Sequence, residues 1–273
     1  MAPEVANPPD RVLNVGDSPA REDDDTPAAA MAAGHLSGAE PPDAFDLRAP
    51  WWDVGDQGET GSCVGWALAD SVLRRQLVGA GRLAEAERLS PRFMWMAAKE
   101  MRAKLSEAEG GPGWLPTTFL EQGPVDVKSA LDVARLYGAA LERDLPWQGG
   151  LYPGEIEPFY AEAERRKIVR YYRLDPNRDA AEWFGHWRRW IHQHGPVLIV
   201  VGVDRSFADG APALDDFHAE TVGFKHAAAL AGYGPGGFLV RCSWGADWGR
   251  GGYAVATEDY LAQATVESYG VVV

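Results

Sequence analysis

The sequence predicts an α+β fold, with helices early in the chain and an antiparallel sheet after them. In the first half, apolar residues recur at helical spacing: Val64, Leu68 and Val72 share one face of a helix predicted over residues 63–78. After residue 196 the pattern changes to short apolar runs separated by glycine-rich turns, which is typical of strands. Because strands and helices do not alternate, we expect a helical lobe packed against a separate small sheet.

Cap residues and periodicity predict three further helices and four strands. Ser90 is an N-cap before Pro91, a residue favoured at the first helical position. The next helix is predicted over residues 127–137 and ends at Gly138, a common C-cap. The last helix carries one stripe of large side chains, Trp183, Trp187, Trp190 and Ile191. The strands are predicted over residues 197–203, 226–233, 237–242 and 253–256.

Composition excludes several classes of protein. The chain has 273 residues, 46% of them hydrophobic, with 11 tryptophans, which is enough to bury a sizeable core. A net charge of −14 disfavours a nucleic-acid partner, because an acidic surface repels phosphates. No apolar run approaches the roughly 20 residues that span a bilayer, so no membrane partner is expected. The start of the chain lacks the features of a signal peptide and there are only two cysteines, so we expect a cytoplasmic protein with reduced thiols.

The acidity is concentrated in the N-terminal segment. Residues 1–48 hold ten acidic and three basic side chains, which is half of the net charge of −14. The same stretch is rich in proline and alanine and poor in large apolar residues, so composition predicts a disordered arm over residues 1–40. A sharper alternative is a short inhibitory or docking segment with a partner of its own. The folded domain is predicted over residues 41–273.

Cys63 is the first candidate for a chemical role. It follows a glycine-containing loop at the point where the predicted helix begins. Backbone N–H groups at a helix start favour negative charge and should lower the pKa of a thiol placed there, which makes it a better nucleophile. The alternative is that Cys63 is a small buried hydrophobic residue.

His226 and a tryptophan-rich segment complete the set of candidates. An imidazole facing Cys63 could take the thiol proton and later protonate a leaving amine. His226 stands at the start of a predicted strand, although a single histidine can also be a buried polar residue without a chemical role. Residues 241–249 (RCSWGADWG) combine glycine and tryptophan at a density that indicates close backbone approach and a packed aromatic wall.

Together these segments resemble the papain-like cysteine peptidases over about residues 41–273. Gln57 precedes Cys63 by six residues, as the glutamine of the family precedes its nucleophile. His226 begins a strand that leads to a Gly-Tyr-Gly turn at residues 232–234. Residues 243–249 are similar to the family's Ser-Trp-Gly stretch with its second Trp-Gly. The resemblance implies a two-lobe papain-like fold, of a bacterial type that lacks the large helical propeptide.

The resemblance also implies roles for particular residues. Cys63 would be the nucleophile and His226 its general base and acid, while the Gln57 side chain and the Cys63 N–H would form the oxyanion hole. Trp244 would form the wall that shields the histidine from water. Val127 is a candidate for the wall of the substrate pocket. No cofactor and no metal ion are expected, and the substrate would be a peptide or protein.

One departure from the family pattern leaves alternatives open. Cys242 stands where the family has the asparagine that orients the histidine, and a thiol is a weak hydrogen-bond acceptor. The sequence therefore predicts a cysteine peptidase acting through a thioester on Cys63, with Cys242 as the candidate third residue. The alternatives are an acyltransferase or transpeptidase using the same residues, and a catalytically impaired papain-like binding module.

Overall fold

A mainly antiparallel sheet with helices on both faces organises the chain. The architecture is that of a computed structural model, which describes residues 15–19, 25–107, 125–175 and 179–273. The helices, in chain order, are α1 (Pro27–Ala32), α2 (Cys63–Gly65), a π-helical segment (Trp66–Leu73), α3 (Arg74–Gly79), α4 (Pro91–Glu107), α5 (Val127–Leu136), α6 (Ile156–Ala163), α7 (Ala180–Gln193), α8 (Arg205–Ala208) and α9 (Glu258–Ala264). The strands are β1 (Phe45–Asp46), β2 (Arg170–Arg173), β3 (Val197–Val203), β4 (Ala213–Leu214), β5 (Phe224–Gly234), β6 (Gly237–Arg241), β7 (Tyr253–Ala256) and β8 (Thr265–Val272).

The strands lie in the order β2-β8-β3-β5-β6-β7-β4, and β1 pairs with β5 beside this path. Every pairing is antiparallel except that of β4 with β7. The predicted α+β class is therefore confirmed. The connections between neighbouring strands differ in length: β5 and β6 form a hairpin, whereas β8 comes from the end of the chain to pair with β2 and β3.

Both faces of the central strand β3 are buried. Leu198 and Val200 belong to the hydrophobic cluster of the helical lobe, which also contains Cys63. Val197 and Ile199 belong to a second cluster, together with the tryptophan stripe of α7. Successive side chains of a strand point to opposite faces, so a run of consecutive valine, leucine and isoleucine residues supplies both clusters at once.

The Cys63 helix is continuous from α2 through the π-helical segment to α3. The Arg74 N–H donates to the carbonyl of Ala69, five residues earlier, which is the hydrogen bond of a π-helix. Trp52 Nε1 donates to the carbonyl of Asp70 within this widened segment, at 3.0 Å. At the start of the helix, a Cβ on Gly65 would lie 2.4 Å from the Pro91 carbonyl oxygen, so glycine is what lets α4 approach this closely.

The local predictions agree with the structure where periodicity is strong. The strand predicted over residues 197–203 has those bounds, and Ser90 caps α4 by accepting the Phe93 N–H at 3.0 Å. The helix predicted over residues 63–78 is confirmed, with a π-helical interior that periodicity does not reveal. The sequence analysis did not identify β2 or β8, whose mixed polar and apolar residues lack a clear strand pattern.

The N-terminal segment differs from the predicted disordered arm wherever the structure describes it. Thr26 caps α1, and Ala30 and Leu36 are buried in the same cluster as the tryptophans of α7. The backbone N–H of Arg173 donates to the Asp25 carbonyl at 2.8 Å, which ties this segment to β2. Composition predicted disorder because the segment has few large apolar residues, but a short alanine-rich helix needs few when an apolar surface is already formed. Residues 1–14 and 20–24 lie outside the described residues.

No helix in the described part of the chain has both the length and the apolar character for a bilayer crossing.

Candidate active site

Cys63 is the first residue of α2 and is completely buried. The loop before it is closed by Thr60, whose hydroxyl donates to the Gln57 carbonyl at 2.8 Å. Burial raises the pKa of the Cys63 thiol to about 11, although the backbone N–H groups of Ala227, Val64 and Cys63 itself act in the opposite direction. The expectation of a lowered thiol pKa is therefore wrong for the isolated thiol, because desolvation outweighs the helix start.

His226 lies in β5, where it pairs with Val201 of β3, and its side chain is fully buried. The N–H of the next residue, Ala227, faces the Cys63 sulfur, so the strand that carries the histidine passes the candidate nucleophile. His226 Nε2 is 3.3 Å from the Sγ of Cys242. The predicted third residue thus lies where it can contact the imidazole.

Two aromatic rings lie close to the imidazole of His226. The Trp244 ring centroid is 4.6 Å from that of His226, and the Phe207 ring is 5.7 Å away. Trp244 itself is only 2% exposed. The buried tryptophan ring therefore lies against the imidazole.

Ser243 connects the two halves of the site, a role that the sequence analysis missed. Its hydroxyl donates to Gln57 Oε1 at 2.7 Å, and its carbonyl accepts the Gln57 N–H at 2.9 Å. Gln57 Nε2 in turn donates to the Thr60 carbonyl at 2.7 Å. An amide nitrogen carries two hydrogens, so the second can donate to a substrate oxygen. The only signal in the sequence was the position of Ser243 between two residues that were singled out.

A buried arginine ties this segment to the Cys63 helix. Arg241, which precedes Cys242, donates to Asp70 at 2.8 Å and to the Asp53 carbonyl at 2.7 Å, and also contacts Ser71. Its guanidinium lies 4.7 Å from the centre of the Trp52 ring. Because Asp70 belongs to the helix that begins at Cys63, the ion pair holds the histidine side of the site and the cysteine side in register.

Val127 begins α5 and is completely buried in the same cluster as Cys63. The preceding residue, Asp126, caps the helix by accepting the Ser129 N–H at 2.9 Å. α5 contacts α2, the first segment of the Cys63 helix. Among the described residues, no group of three histidine, cysteine or acidic side chains is arranged to hold a metal ion.

A buried cysteine at a helix start, beside a strand that carries a histidine, is the arrangement of enzymes with a thiol nucleophile. The family model of the papain family cysteine proteases matches residues 127–272, more than half of the chain. The chain belongs to this family. The predicted family and the papain-like fold are thereby confirmed.

Solved structures show the same fold at low sequence identity. Xylellain, a cysteine protease from Xylella fastidiosa, is 19% identical with a TM-score of 0.71, over 96% of each chain. Procathepsin L 3 of the Tenebrio molitor larval midgut is 20% identical with a TM-score of 0.62, over 87% of this chain and 72% of that one. Bromelain from Ananas comosus, solved with the inhibitor E64, is 18% identical with a TM-score of 0.59, over 85% and 99%. No curated protein sequence matches the chain.

Proposed function

We propose that the protein hydrolyses peptide bonds in peptide or protein substrates through a thioester on Cys63. The observation that carries the proposal is the position of His226. It is held between Cys242 Sγ, 3.3 Å from Nε2, and the ring of Trp244, in a strand whose next N–H faces the Cys63 thiol. Membership of the papain family supports the same class of reaction.

The reaction begins with proton transfer from the Cys63 thiol to His226. Because Nε2 contacts Cys242, the buried Nδ1 is the atom assigned to this exchange. The sulfur then attacks the carbonyl carbon of the substrate, and the oxyanion accepts hydrogen bonds from the Cys63 N–H and from Gln57 Nε2. When the C–N bond breaks, His226 protonates the leaving amine and the acyl group remains on sulfur.

The second half of the reaction restores the free enzyme. Water attacks the thioester carbonyl while His226 takes one of its protons, which leaves the product carboxylic acid and returns the proton to the thiol. An acyltransferase would use an amine in place of this water with the same residues. The reaction needs no electron carrier, because no atom changes its oxidation state.

A second candidate function is a papain-fold binding module without turnover. Complete burial of Cys63, which raises the pKa of its thiol to about 11, favours this candidate. The two candidates differ in whether a thiolate exists at neutral pH.

Labelling by a thiol-directed epoxide separates the two candidates. Intact mass spectrometry at pH 7 should show one inhibitor molecule per chain on the wild type, and none on Cys63→Ala. Peptide mapping should place the label on Cys63 and not on Cys242. Absence of label on folded wild-type protein, at any inhibitor concentration, would favour the binding module and overturn the peptidase.

A further inference from the structure

The four-residue helix α8 carries Phe207, whose side chain is 1% exposed and lies against the candidate site. Its ring centroid is 5.7 Å from that of His226 and 5.4 Å from that of Trp244. The Phe207 and Trp244 rings meet at an angle of 89°, so the edge of one faces the other. The His226 imidazole therefore packs against two aromatic rings that also pack against each other.

A helix as short as α8 depends on contacts outside itself, because one turn fixes several backbone angles for a single hydrogen bond. The contact at its start comes from Asp204, which directly follows β3 and is 1% exposed. Asp204 Oδ1 accepts the Phe207 N–H at 3.0 Å. The carboxylate therefore fixes the backbone of the residue whose ring contacts the imidazole.

Two further segments of the chain hold the Asp204 carboxylate in place. Oδ1 also accepts the hydroxyl hydrogen of Tyr260, in α9, at 2.7 Å, and Oδ2 accepts the His218 N–H at 3.0 Å. Burial, together with the carboxylate beside it, raises the pKa of Tyr260, so the hydroxyl keeps the hydrogen that it donates. A buried carboxylate needs such donors, and this one receives three from separate parts of the chain.

Helix α8 is also attached to the tryptophan-rich segment at residues 241–249. The Phe207 carbonyl accepts the hydrogen of Trp248 Nε1 at 2.8 Å, and the two rings are 4.8 Å apart. Gly210 follows the helix at a φ of +69°, and a Cβ on it would lie 3.1 Å from the Gly249 nitrogen. Phe207 is thus fixed by Asp204 on one side and by Trp248 on the other.

The hydrogen-bond partner of His226 Nε2 orients the imidazole only weakly. This partner is the Cys242 thiol at 3.3 Å, and a thiol is both a weak donor and a weak acceptor. An imidazole plane that hydrogen bonding holds weakly has to be held by the groups that pack on it. In this site those groups are the rings of Phe207 and Trp244.

We infer that Asp204 is a positioning residue of the site, because it holds the Phe207 ring against the imidazole of His226. The rings of Phe207 and Trp244 then fix the plane of an imidazole whose contact with a thiol is weak. Asp204 acts only through the phenylalanine ring. The inference rests on the proposed function for its effect on the reactive thiol, but not for the orientation of the imidazole.

Phe207→Leu tests the packing. Leucine keeps the site apolar but presents no flat ring to the imidazole. The rate of epoxide labelling of Cys63 at pH 7 should fall about tenfold, which lies within the range of coupling between residues in contact. When Cys242→Asn supplies a stronger acceptor to His226, the same Phe207→Leu change should lower the rate by less than about twofold.

Phe238→Leu is the matched control, since Phe238 is completely buried and packs against Phe184 and Trp187 of α7. It should lower the free energy of unfolding in urea to a similar extent but leave the labelling rate of Cys63 at that of the wild type. If folded Phe207→Leu also labels at the wild-type rate, the packed ring does not orient the imidazole and the inference is overturned.

Asp204→Ala tests whether the carboxylate acts through the ring. In the wild type it should lower the labelling rate about tenfold, as Phe207→Leu does, and in the Phe207→Leu background it should add less than about twofold. Equal losses in the two backgrounds would mean that Asp204 does not act through Phe207. If Asp204→Ala fails to fold, Tyr260→Phe removes one of the three donors and should show the same dependence on the phenylalanine, with a loss of about threefold.

The orientation of the imidazole is measured separately in Cys63→Ala protein, which needs no reactive thiol. Carbon NMR relaxation dispersion of His226 Cε1, with the signal assigned by its absence from His226→Gln, reports ring motion on the microsecond-to-millisecond scale. The signal should show no dispersion in Cys63→Ala, dispersion after Phe207→Leu or Asp204→Ala, and none again once Cys242→Asn is added. A signal without dispersion in every variant would overturn the inference.

These measurements separate the positioning of His226 from the reaction. If ring motion changes as expected but the epoxide does not label the wild type at pH 7, the positioning role stands and the proposed hydrolysis fails. If wild-type Cys63 is labelled but neither labelling nor ring motion responds to Phe207→Leu, the reactive thiol stands and the positioning inference fails.

Discussion

Replacing His226 with glutamine tests whether the imidazole, and not the helix start, produces the reactive thiolate. Glutamine keeps a polar side chain of similar length at this buried position but cannot accept a proton at neutral pH. The Cys63 thiol would then have to lose its proton to water. Since burial raises the pKa of this thiol to about 11, the thiolate forms only as the pH approaches that value.

The expected loss of Cys63 labelling in His226→Gln follows from the pKa of the Cys63 thiol. At pH 7 a thiol with a pKa of about 11 is ionised in roughly one molecule in ten thousand, which corresponds to about 5 kcal/mol. In the wild type, transfer of the proton to His226 creates two opposite charges side by side, so the attraction between them offsets part of the desolvation cost. We therefore expect His226→Gln to lower the rate of epoxide labelling at pH 7 by about a thousandfold or more.

The assay is the rate of Cys63 modification between pH 6 and pH 10, read by intact mass spectrometry. Below the pKa of a thiol its ionised fraction rises tenfold for each pH unit, so labelling of the variant should rise about tenfold per unit across this range. The wild type should label at a rate that changes little near neutral pH.

His192→Gln is the matched control, because His192 is an exposed histidine on α7 outside the site. Its labelling profile should equal that of the wild type. If folded His226→Gln labels at the wild-type rate at pH 7, the imidazole is not the base that activates Cys63. If the wild type itself shows only the steep rise towards pH 11, no thiolate–imidazolium pair forms and the binding module is favoured.

Three further substitutions test the support of the site. Cys242→Asn supplies an amide oxygen to His226 and should keep or raise turnover of a fluorogenic peptide, whereas a large loss would mean that the thiol has another role. Ser243→Ala removes the hydrogen bond that orients Gln57 and should lower kcat about tenfold with little change in KM; an unchanged kcat would contradict its positioning role. Arg241→Met removes one of the ion-pair partners of buried Asp70, which keeps Arg74 at 3.6 Å, and should lower the free energy of unfolding in urea by about 1.5–3 kcal/mol, whereas a loss below about 1 kcal/mol would show that the ion pair does not hold the two sides together.

Much of the local structure could be predicted from the sequence because it depends on neighbouring residues. Ser90 and Pro91 specify a helix start by capping and by the fixed φ of proline, and the structure has that start. The valine-rich run of β3 is recognisable because every side chain is apolar and the bounding turns contain glycine. β8 was missed because its Glu267 and Ser268 interrupt any apolar run, and the buried Ser268 finds its hydrogen-bond partner in the distant Asp175.

The N-terminal segment is a case in which composition predicted disorder and the structure shows packed residues. Small side chains and prolines in residues 25–40 predicted disorder, yet this segment docks on the tryptophan cluster of α7, and no pattern within the segment itself reveals that partner. The same holds for residues 15–19, whose partners Val125, Lys225 and Glu267 are more than a hundred residues away.

The sequence by itself determined the family and the α+β class and singled out Gln57, Cys63 and His226 as candidates, because these depend on motifs and on residue types at set spacings. It also singled out half of the net charge of −14 as belonging to residues 1–48. Only the tertiary structure decided the burial of the Cys63 thiol, the contact of Cys242 with His226 and the place of residues 15–19. The physical reason is that desolvation and hydrogen bonding depend on which distant residues surround a group, and that is settled only when the chain is folded.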